Sequence, residues 1–384
     1  YQYFFEQMHM DDAIYADESI YEYPMQQGGG NDGRPYSFGR PSSGGSKAAY
    51  PCKSYGQGRI NPAYFYGVFD PNDMRRDVSI TMTGSNGKGV EKLIPFVPNS
   101  KAEGGGLTLN KWDENRQANP WVAAQRKSGI NGPYMRMSEV YLGYAEVCAA
   151  LGDVVTGKQY LKTVRERSFP QGLANTDAFI ASFGNDLVRA IIEERGFEYA
   201  GEGDRRWTLI RSGYLPEDIK RIKDMTKAMM DGLATKGYYE FENGNIISAY
   251  IWTKLVDAKT IYGHRLTAQC PTDKVNDPVL YPGWRGQKDN WEEMGLNYGS
   301  STPATNLAIK GLFEIVSEEE AASLESQGYT KVNWGIDLVD NRDEYDKYLF
   351  WDYDYVSAPI YLWPFTPNVM AAGGFTNGYG FKQE

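Results

Sequence analysis

The sequence predicts a mainly α-helical protein, with tetratricopeptide-like helix pairs as a scaffold for long irregular loops and small β-hairpins. Three observations predict it. Apolar residues recur at helical spacing through 134–168, in two runs separated by a single glycine. Amphipathic helical patterns return after Asp186 and again in LPEDIKRIKDMTKAMM at 215–230. Around these runs lie Gly-, Asn- and Pro-rich stretches whose many aromatics follow no period. The 384 residues are read as one domain in three parts: a loop-rich, ligand-facing region over 1–133, a helical scaffold over 134–213 and a second loop-rich region over 214–384.

The elements follow in order. DESIYEYPM carries Ile20, Tyr21 and Tyr23 and predicts a strand. The opening YQYFFEQ lacks the basic and apolar stretches of a signal peptide and reads as a chain entered part-way. Residues 28–62 form a long loop, of the kind usually kept for function or mobility. A short helix follows from 63, then a turn at Asp70-Pro71-Asn72-Asp73 and a strand entering at Val78. Another strand is expected over Leu93 to Val97. The first scaffold helix carries Met137, Val140, Tyr141, Tyr144, Cys148 and Leu151 on a 3.6-residue stripe, with Gly143 and Ala145 as small residues at the crossing. Gly152 ends it, and Asp153 caps a second helix bearing Val154, Leu161 and Val164. Asn185 or Asp186 caps a third, from Leu187 to about Ala200. Asn243-Gly244 predicts a hairpin, and SEEEAASLESQG a helix near 317–328.

Composition removes several function classes. Net charge is −10, from 40 Lys+Arg against 50 Asp+Glu, whereas nucleic acid calls for a basic stripe. No apolar run reaches the ~18 residues of a membrane-spanning helix. The two histidines, His9 and His264, leave zinc hydrolases and His-based triads little to work with. Cys52, Cys148 and Cys270 match no metal spacing. Cys148 falls in the apolar stripe and is expected to be a buried thiol; Cys52 and Cys270 are free to pair in an oxidising compartment.

The densest chemistry is EERGFEYAGEGDRRWTLIRSG at 193–213. Glu194 and Glu198 share one helix face, and Arg205, Arg206 and Arg211 follow a Gly-Glu-Gly break. Two readings compete: a catalytic carboxylate pair, as in a glycoside hydrolase, or an ion-pair network docking the helix on its neighbours. Catalysis needs an acid whose pKa is raised in an apolar pocket, and neighbouring arginines act the other way. The network is therefore preferred, and Glu139 and Glu146 are expected to join it, with Arg136 and Arg165. Trp207 and Trp252 are expected in the core. The aspartates between 337 and 354 lack EF-hand spacing; Ca²⁺ is a minor option beside a solvated acidic surface, and no other cofactor is expected.

Four blocks together carry a family resemblance. RMSEVYLGYAEVCAALGD, a second helix ending TVRERS, the 193–213 stretch and LWPFTPNVM near the end resemble the SusD/RagB family. The family pattern is matched by Glu194, Arg195, Glu198, Glu202, Gly203, Arg206, Trp207, Leu209 and Arg211. It departs at Thr208, where the family usually has Asp, and at Thr366, where it has a second Pro. The resemblance implies a SusD-like α/α superhelix and a non-catalytic outer-membrane lipoprotein of Bacteroidota. Such a protein captures glycans, or in some members peptides, for a partner SusC-like TonB-dependent transporter. It also implies that the N-terminal part, with signal peptide and lipid-bearing Cys, is missing here.

A glycan site needs flat aromatic faces for the C–H side of a sugar, with planar polar groups beside them for its hydroxyls. Trp112, Asp113, Asn115 and Arg116 supply both within five residues. Trp121 follows, as do Tyr50 and Tyr55 in the first long loop, and Trp284 leads a further group. These are the candidate ligand contacts.

Overall fold

The computed structural model describes residues 1, 4–5, 18–26, 38–39, 58–85, 91–96, 106–112, 129–257, 305–343, 365–374 and 376. Over these the chain is mainly helical, with small antiparallel sheets between the helices. Helix α1 spans Pro62–Gly67; the Asn61 side chain accepts from the Ala63 amide at 2.8 Å, and Pro62 opens the first turn without needing a donor. Helix α2 spans Met74–Ser79, capped by Asp73. The strand expected from Val78 begins only at Ile80, because this cap starts a helical turn that carries Val78 inward. The strand expected over Leu93 to Val97 lies at Glu91–Leu93.

The scaffold hairpin is α3, Met137–Ala150, and α4, Val154–Glu166, with the turn at Gly152 and the Asp153 carboxylate accepting from the Thr156 amide at 3.1 Å. A short helix not anticipated from the sequence, α5, spans Thr176–Ala181. Asp186 caps α6, Leu187–Glu198. Helix α7 spans Asp204–Ser212, and α8, Leu215–Lys236, is the longest described. Ser317 caps α9, Glu318–Ser326; α10, Gly335–Asp340, and α11, Pro367–Gly373, follow.

Strand Ser19–Tyr23 pairs with Gly132–Arg136, which delivers residue 18 beside the start of α3. Leu107–Leu109 lies between Arg59–Ile60 and Ile80–Thr81. Tyr238–Glu240 and Ile246–Ser248 form the expected hairpin around Asn243-Gly244. Tyr250–Asp257 is the centre of a sheet flanked by Thr305–Lys310 and Thr330–Asn333.

Two cores hold these elements. The larger joins Phe65 and Tyr66 of α1 to Met229, Met230 and Leu233 of α8 and to Trp334, whose indole N–H donates to the Tyr66 hydroxyl at 2.8 Å. The smaller joins Leu142 and Ala145 of α3, Leu161 and Val164 of α4, and Ala190 and Ile191 of α6. Cys148 is buried as expected; Cys52 and Cys270 lie outside the described residues.

The face of α3 that packs inward is not the one its sequence stripe suggested. Ser138, Leu142, Ala145 and Cys148 are buried, while Val140, Tyr144 and Leu151 face outward, Leu151 at 82% exposure. The helix is apolar on nearly every side, so periodicity cannot choose a face. Close packing chooses instead, and it turns small residues towards α4. The close approach is at Gly157 rather than Gly143. A Cβ at Gly157 would lie 3.0 Å from the Ala145 carbonyl oxygen and 3.2 Å from the Ala149 nitrogen, whereas at Gly143 it would meet nothing. Trp207, expected in the core, is 53% exposed: α7 buries Thr208 and Leu209, and the residue before them points away. Trp252 is buried.

Gly157→Val therefore lowers the unfolding free energy by about 1–3 kcal/mol through overpacking. Leu151→Ser changes it by less than about 0.5 kcal/mol, as for most exposed positions. Urea midpoints of the two variants check the assignment; a larger loss for Leu151→Ser than for Gly157→Val contradicts it.

Candidate functional site

Helix α6 is buried from Arg189 to Glu198, charges included. Glu194 and Glu198 stand one turn apart on one face, and Glu202 continues that line just past the helix end. Burying carboxylates costs several kcal/mol each unless charged donors meet them. Here the donors come from four other parts of the chain. Arg75 of α2 donates to Glu194 at 2.6 Å and to Glu198 at 3.2 Å, and also grips Asp73 at 2.7 Å. Arg165 of α4 donates to the second Glu194 oxygen at 2.8 Å. Arg167, just past α4, reaches Glu198 at 2.5 Å. Arg136, at the strand end before α3, donates to Glu198 and at 2.9 Å to Glu202. Lys111 completes the set, 2.5 Å from Glu202. Glu18 bridges two of these cations, 2.9 Å from Arg136 and 2.5 Å from Arg167.

The electrostatics follow from this crowding. Burial by itself raises the Glu198 carboxyl, but Arg167, Arg136 and Arg75 outweigh it and hold the group well below the usual carboxylate range. Glu202 is likewise lowered against its burial, by Arg136 and Lys111. Burial pushes the Lys111 ammonium down to about 8, with Glu202 offsetting only part of the effect. For Asp73 burial wins, and its carboxyl is raised despite the arginine beside it.

Other faces of α6 are used the same way. Glu193 meets Arg189 and Arg205, each at 3.0 Å, and Arg221 at 3.4 Å. Asp218 of α8 shares Arg205 and Arg221, at 2.8 and 2.6 Å. Arg195 grips Asp204 at 2.5 Å, and the Thr208 hydroxyl sits between them, accepting from Arg195 at 3.2 Å and donating to Asp204 at 2.9 Å. Thr208 thus joins a network where the family usually has an aspartate. Gly203 makes the corner possible: its φ of 95° lies in the left-handed region, which side chains avoid, and it turns the chain from Glu202 straight into α7.

Glu139 and Glu146 join the network of this stretch, as do Arg136 and Arg165, but from the outer part of α3: Glu139 is 3.6 Å from Arg195, and Glu146 takes both Arg211 nitrogens. The ion-pair reading of Glu194 and Glu198 is the one the geometry supports, since both are fully buried and ion-paired. Sequence reasoning missed Glu18, Asp73, Arg75 and Lys111. The one available signal was the Asp-Met-Arg-Arg-Asp run at 73–77, charge too dense for the buried turn it forms.

The candidate ligand contacts divide sharply. Trp112 is 0% exposed and packs with Phe4, Phe5, Val78 and Leu109. It follows a strand, Leu107–Leu109, whose residues are all buried, and continues that line into the core, so it offers no face to a ligand. Asp113, Asn115, Arg116, Trp121, Tyr50, Tyr55 and Trp284 lie outside the described residues. Among the described residues no group of three or more His, Cys, Asp or Glu is placed to hold a metal ion. None of the helices there is long and apolar enough to cross a membrane.

Among the described residues the helical scaffold is clamped by buried arginine–carboxylate pairs, with α6 at their centre. The SusD family model matches residues 13–364, and the chain belongs to that family. The SusD-like protein P25 of Formosa agariphila is 28% identical over 160 residues, 41% of this chain and 26% of that protein. A SusD homolog from Bacteroides thetaiotaomicron aligns at 18% identity with a TM-score of 0.43, covering 60% of this chain and 47% of that one. Surface glycan-binding protein A of the same organism, solved with laminarihexaose, aligns at 18% identity and a TM-score of 0.37, over 55% and 46% of the two chains. The chain thus spans 47% and 46% of these solved relatives and 26% of P25.

Glu198→Ala removes one carboxylate from the buried Arg75 and Arg136 and from the half-buried Arg167, and costs about 3–5 kcal/mol, read from urea unfolding. A loss under about 1 kcal/mol places these arginines in water instead. Acid acts on the same groups. Glu198, Glu202 and Asp218 have lowered folded-state values, so their stabilisation is full above the unfolded value of ~4.3 and is lost as pH falls below it. Asp73, raised, opposes them with one group against three. The urea midpoint should accordingly drop between pH 5 and pH 3 by more in the parent than in Glu202→Gln.

Proposed function

We propose that this protein is a non-catalytic, cell-surface glycan-binding protein that captures oligosaccharides and passes them to a partner SusC-like TonB-dependent transporter in the outer membrane. A lipid anchor at the membrane surface belongs to the same reading, which rests on membership of the SusD family over residues 13–364. The observation that carries the binding role is the fate of the one conspicuous acid pair. Glu194 and Glu198 are consumed as buried partners of arginines, and so are withdrawn from proton transfer to a substrate. What remains for a ligand is the loop chemistry. Tyr50, Tyr55, Trp121 and Trp284 supply aromatic faces, and Asp113, Asn115 and Arg116 supply planar hydrogen-bonding groups for sugar hydroxyls.

The test uses a panel of oligosaccharides and short peptides with the intact chain, followed by calorimetry and by chromatography of the products. Saturable oligosaccharide binding without cleavage is expected. Trp121→Ala should weaken it several-fold, since stacking contributes about 0.5–1.5 kcal/mol beyond buried area. Peptide binding in place of sugar binding, or cleavage abolished by Glu194→Gln in a variant that stays folded, overturns the reading.

A further inference from the structure

An open groove of 890 Å³ lies on the scaffold between α4 and α5, lined by residues between 158 and 177. Among the described residues Arg167 links it to the ion pairs around Glu198. Its volume falls within the range of small-molecule sites, roughly 300–1,000 Å³.

The polar groups along it are arranged in donor–acceptor couples. Lys158 and Lys162 stand one turn apart on α4 and line the same groove. Lys158 is paired with Asp177 of α5, and Lys162 lies 3.5 Å from Glu166. All four side chains remain well exposed, so each couple holds together weakly, by about 0–1 kcal/mol, and keeps unused capacity. An ammonium carries three donors and a carboxylate several acceptor sites, so one direct pairing leaves both groups with more to offer. Adjacent hydroxyls on a sugar fit such a couple: one accepts from the ammonium while its neighbour donates to the carboxylate. The second couple, a turn further along α4, repeats the offer at about 5.4 Å, close to the width of one sugar ring. Beneath them the Thr176 hydroxyl is buried without a hydrogen-bond partner, a polar group that a docked hydroxyl can satisfy after a small side-chain rotation.

Charge decides the ligand class. Two lysines face two carboxylates, and the third cation, Arg167, is committed to Glu18 and Glu198. The groove is therefore balanced, and an isolated anion gains little from it. Among the described lining residues the one aromatic, Phe169, offers no stacking face, because it is buried beneath the Arg165 guanidinium, 4.6 Å from it. We propose that the α4–α5 groove is an accessory site for neutral oligosaccharides, held by hydrogen bonds from paired charges and therefore weak. It rests on the reading of the protein as a glycan binder and adds a second place of contact on the scaffold itself.

The experiment is an NMR titration of the ¹⁵N-labelled chain with maltohexaose, cellohexaose, laminarihexaose and mannohexaose at millimolar concentration, with sodium sulfate as the anion control. At least one hexasaccharide should shift amides of residues 158–177, and the double variant Lys158→Met/Lys162→Met should weaken that response about fivefold or more, as expected for losing its hydrogen bonds. Asp177→Asn should weaken it as well, which a purely anion-binding groove would not show. Sugar-induced shifts elsewhere that leave 158–177 untouched overturn this proposal and leave the glycan-binding reading standing. Absence of any sugar response overturns both, and a response at 158–177 to sulfate alone overturns the accessory sugar site.

Discussion

The constraint on which the rest of the structure depends is the neutralisation of Glu194 and Glu198 inside the protein. A helix with two fully buried carboxylates on one face cannot pack against apolar surface alone. It is stable only where arginines arrive in the right places, and they arrive from residues 75, 136, 165 and 167. Each brings its own element: α2, the strand before α3, and the end of α4. The pairs are thus a condition on how four pieces of chain assemble, more than an addition to a core already formed. Apolar contacts supply the bulk of the driving force, through the smaller core shared by α3, α4 and α6. The charged contacts restrict which arrangement of those helices can form.

The same helix divides its charges among its neighbours. Glu194 and Glu198 face the older part of the chain, Glu193 faces α7 and α8, and Arg195 faces the turn into α7. A helix interior ordinarily excludes this density of charge, because unpaired burial is so costly. Here each group named has at least one opposite charge within hydrogen-bond reach, and several arginines lie over aromatic rings as well, Arg165 3.8 Å from the Phe179 ring centre. The effect is that helices α3, α4, α6, α7 and α8 are tied to one another by charge as well as by apolar packing.

Trp112 shows how the fold changes the meaning of a residue. In sequence it stands beside Asp113, Asn115 and Arg116, a grouping suited to sugars. In three dimensions it lies in a run, Gly106 to Trp112, that is buried throughout, and its ring packs in the core with Phe5. Trp207 went the other way, from expected core to surface. In both cases the side chain's surroundings are set by elements distant in sequence, which local pattern does not report.

Local signals in the sequence were sufficient for the main helices and several of their ends, but not for the short helix at Thr176–Ala181 or the helical turn that carries Val78. The caps at Asp153 and Asp186, the Asn243-Gly244 turn and the Ser317 start are short-range chemistry, readable from a few residues. The shared face of Glu194 and Glu198 is also local, a consequence of 3.6 residues per turn. What only the tertiary structure decided was everything requiring two distant segments to meet. The arginine that takes Glu194 is 119 residues earlier, and no period or spacing connects them. The inward face of α3 was undecidable from a helix apolar on most sides, and was settled by how closely Ala145 and Gly157 approach. By itself the sequence determined the main helices, several of their caps and the carboxylates of α6 that had to be neutralised; the tertiary structure decided which partners neutralised them, because that is a matter of distance in space rather than along the chain.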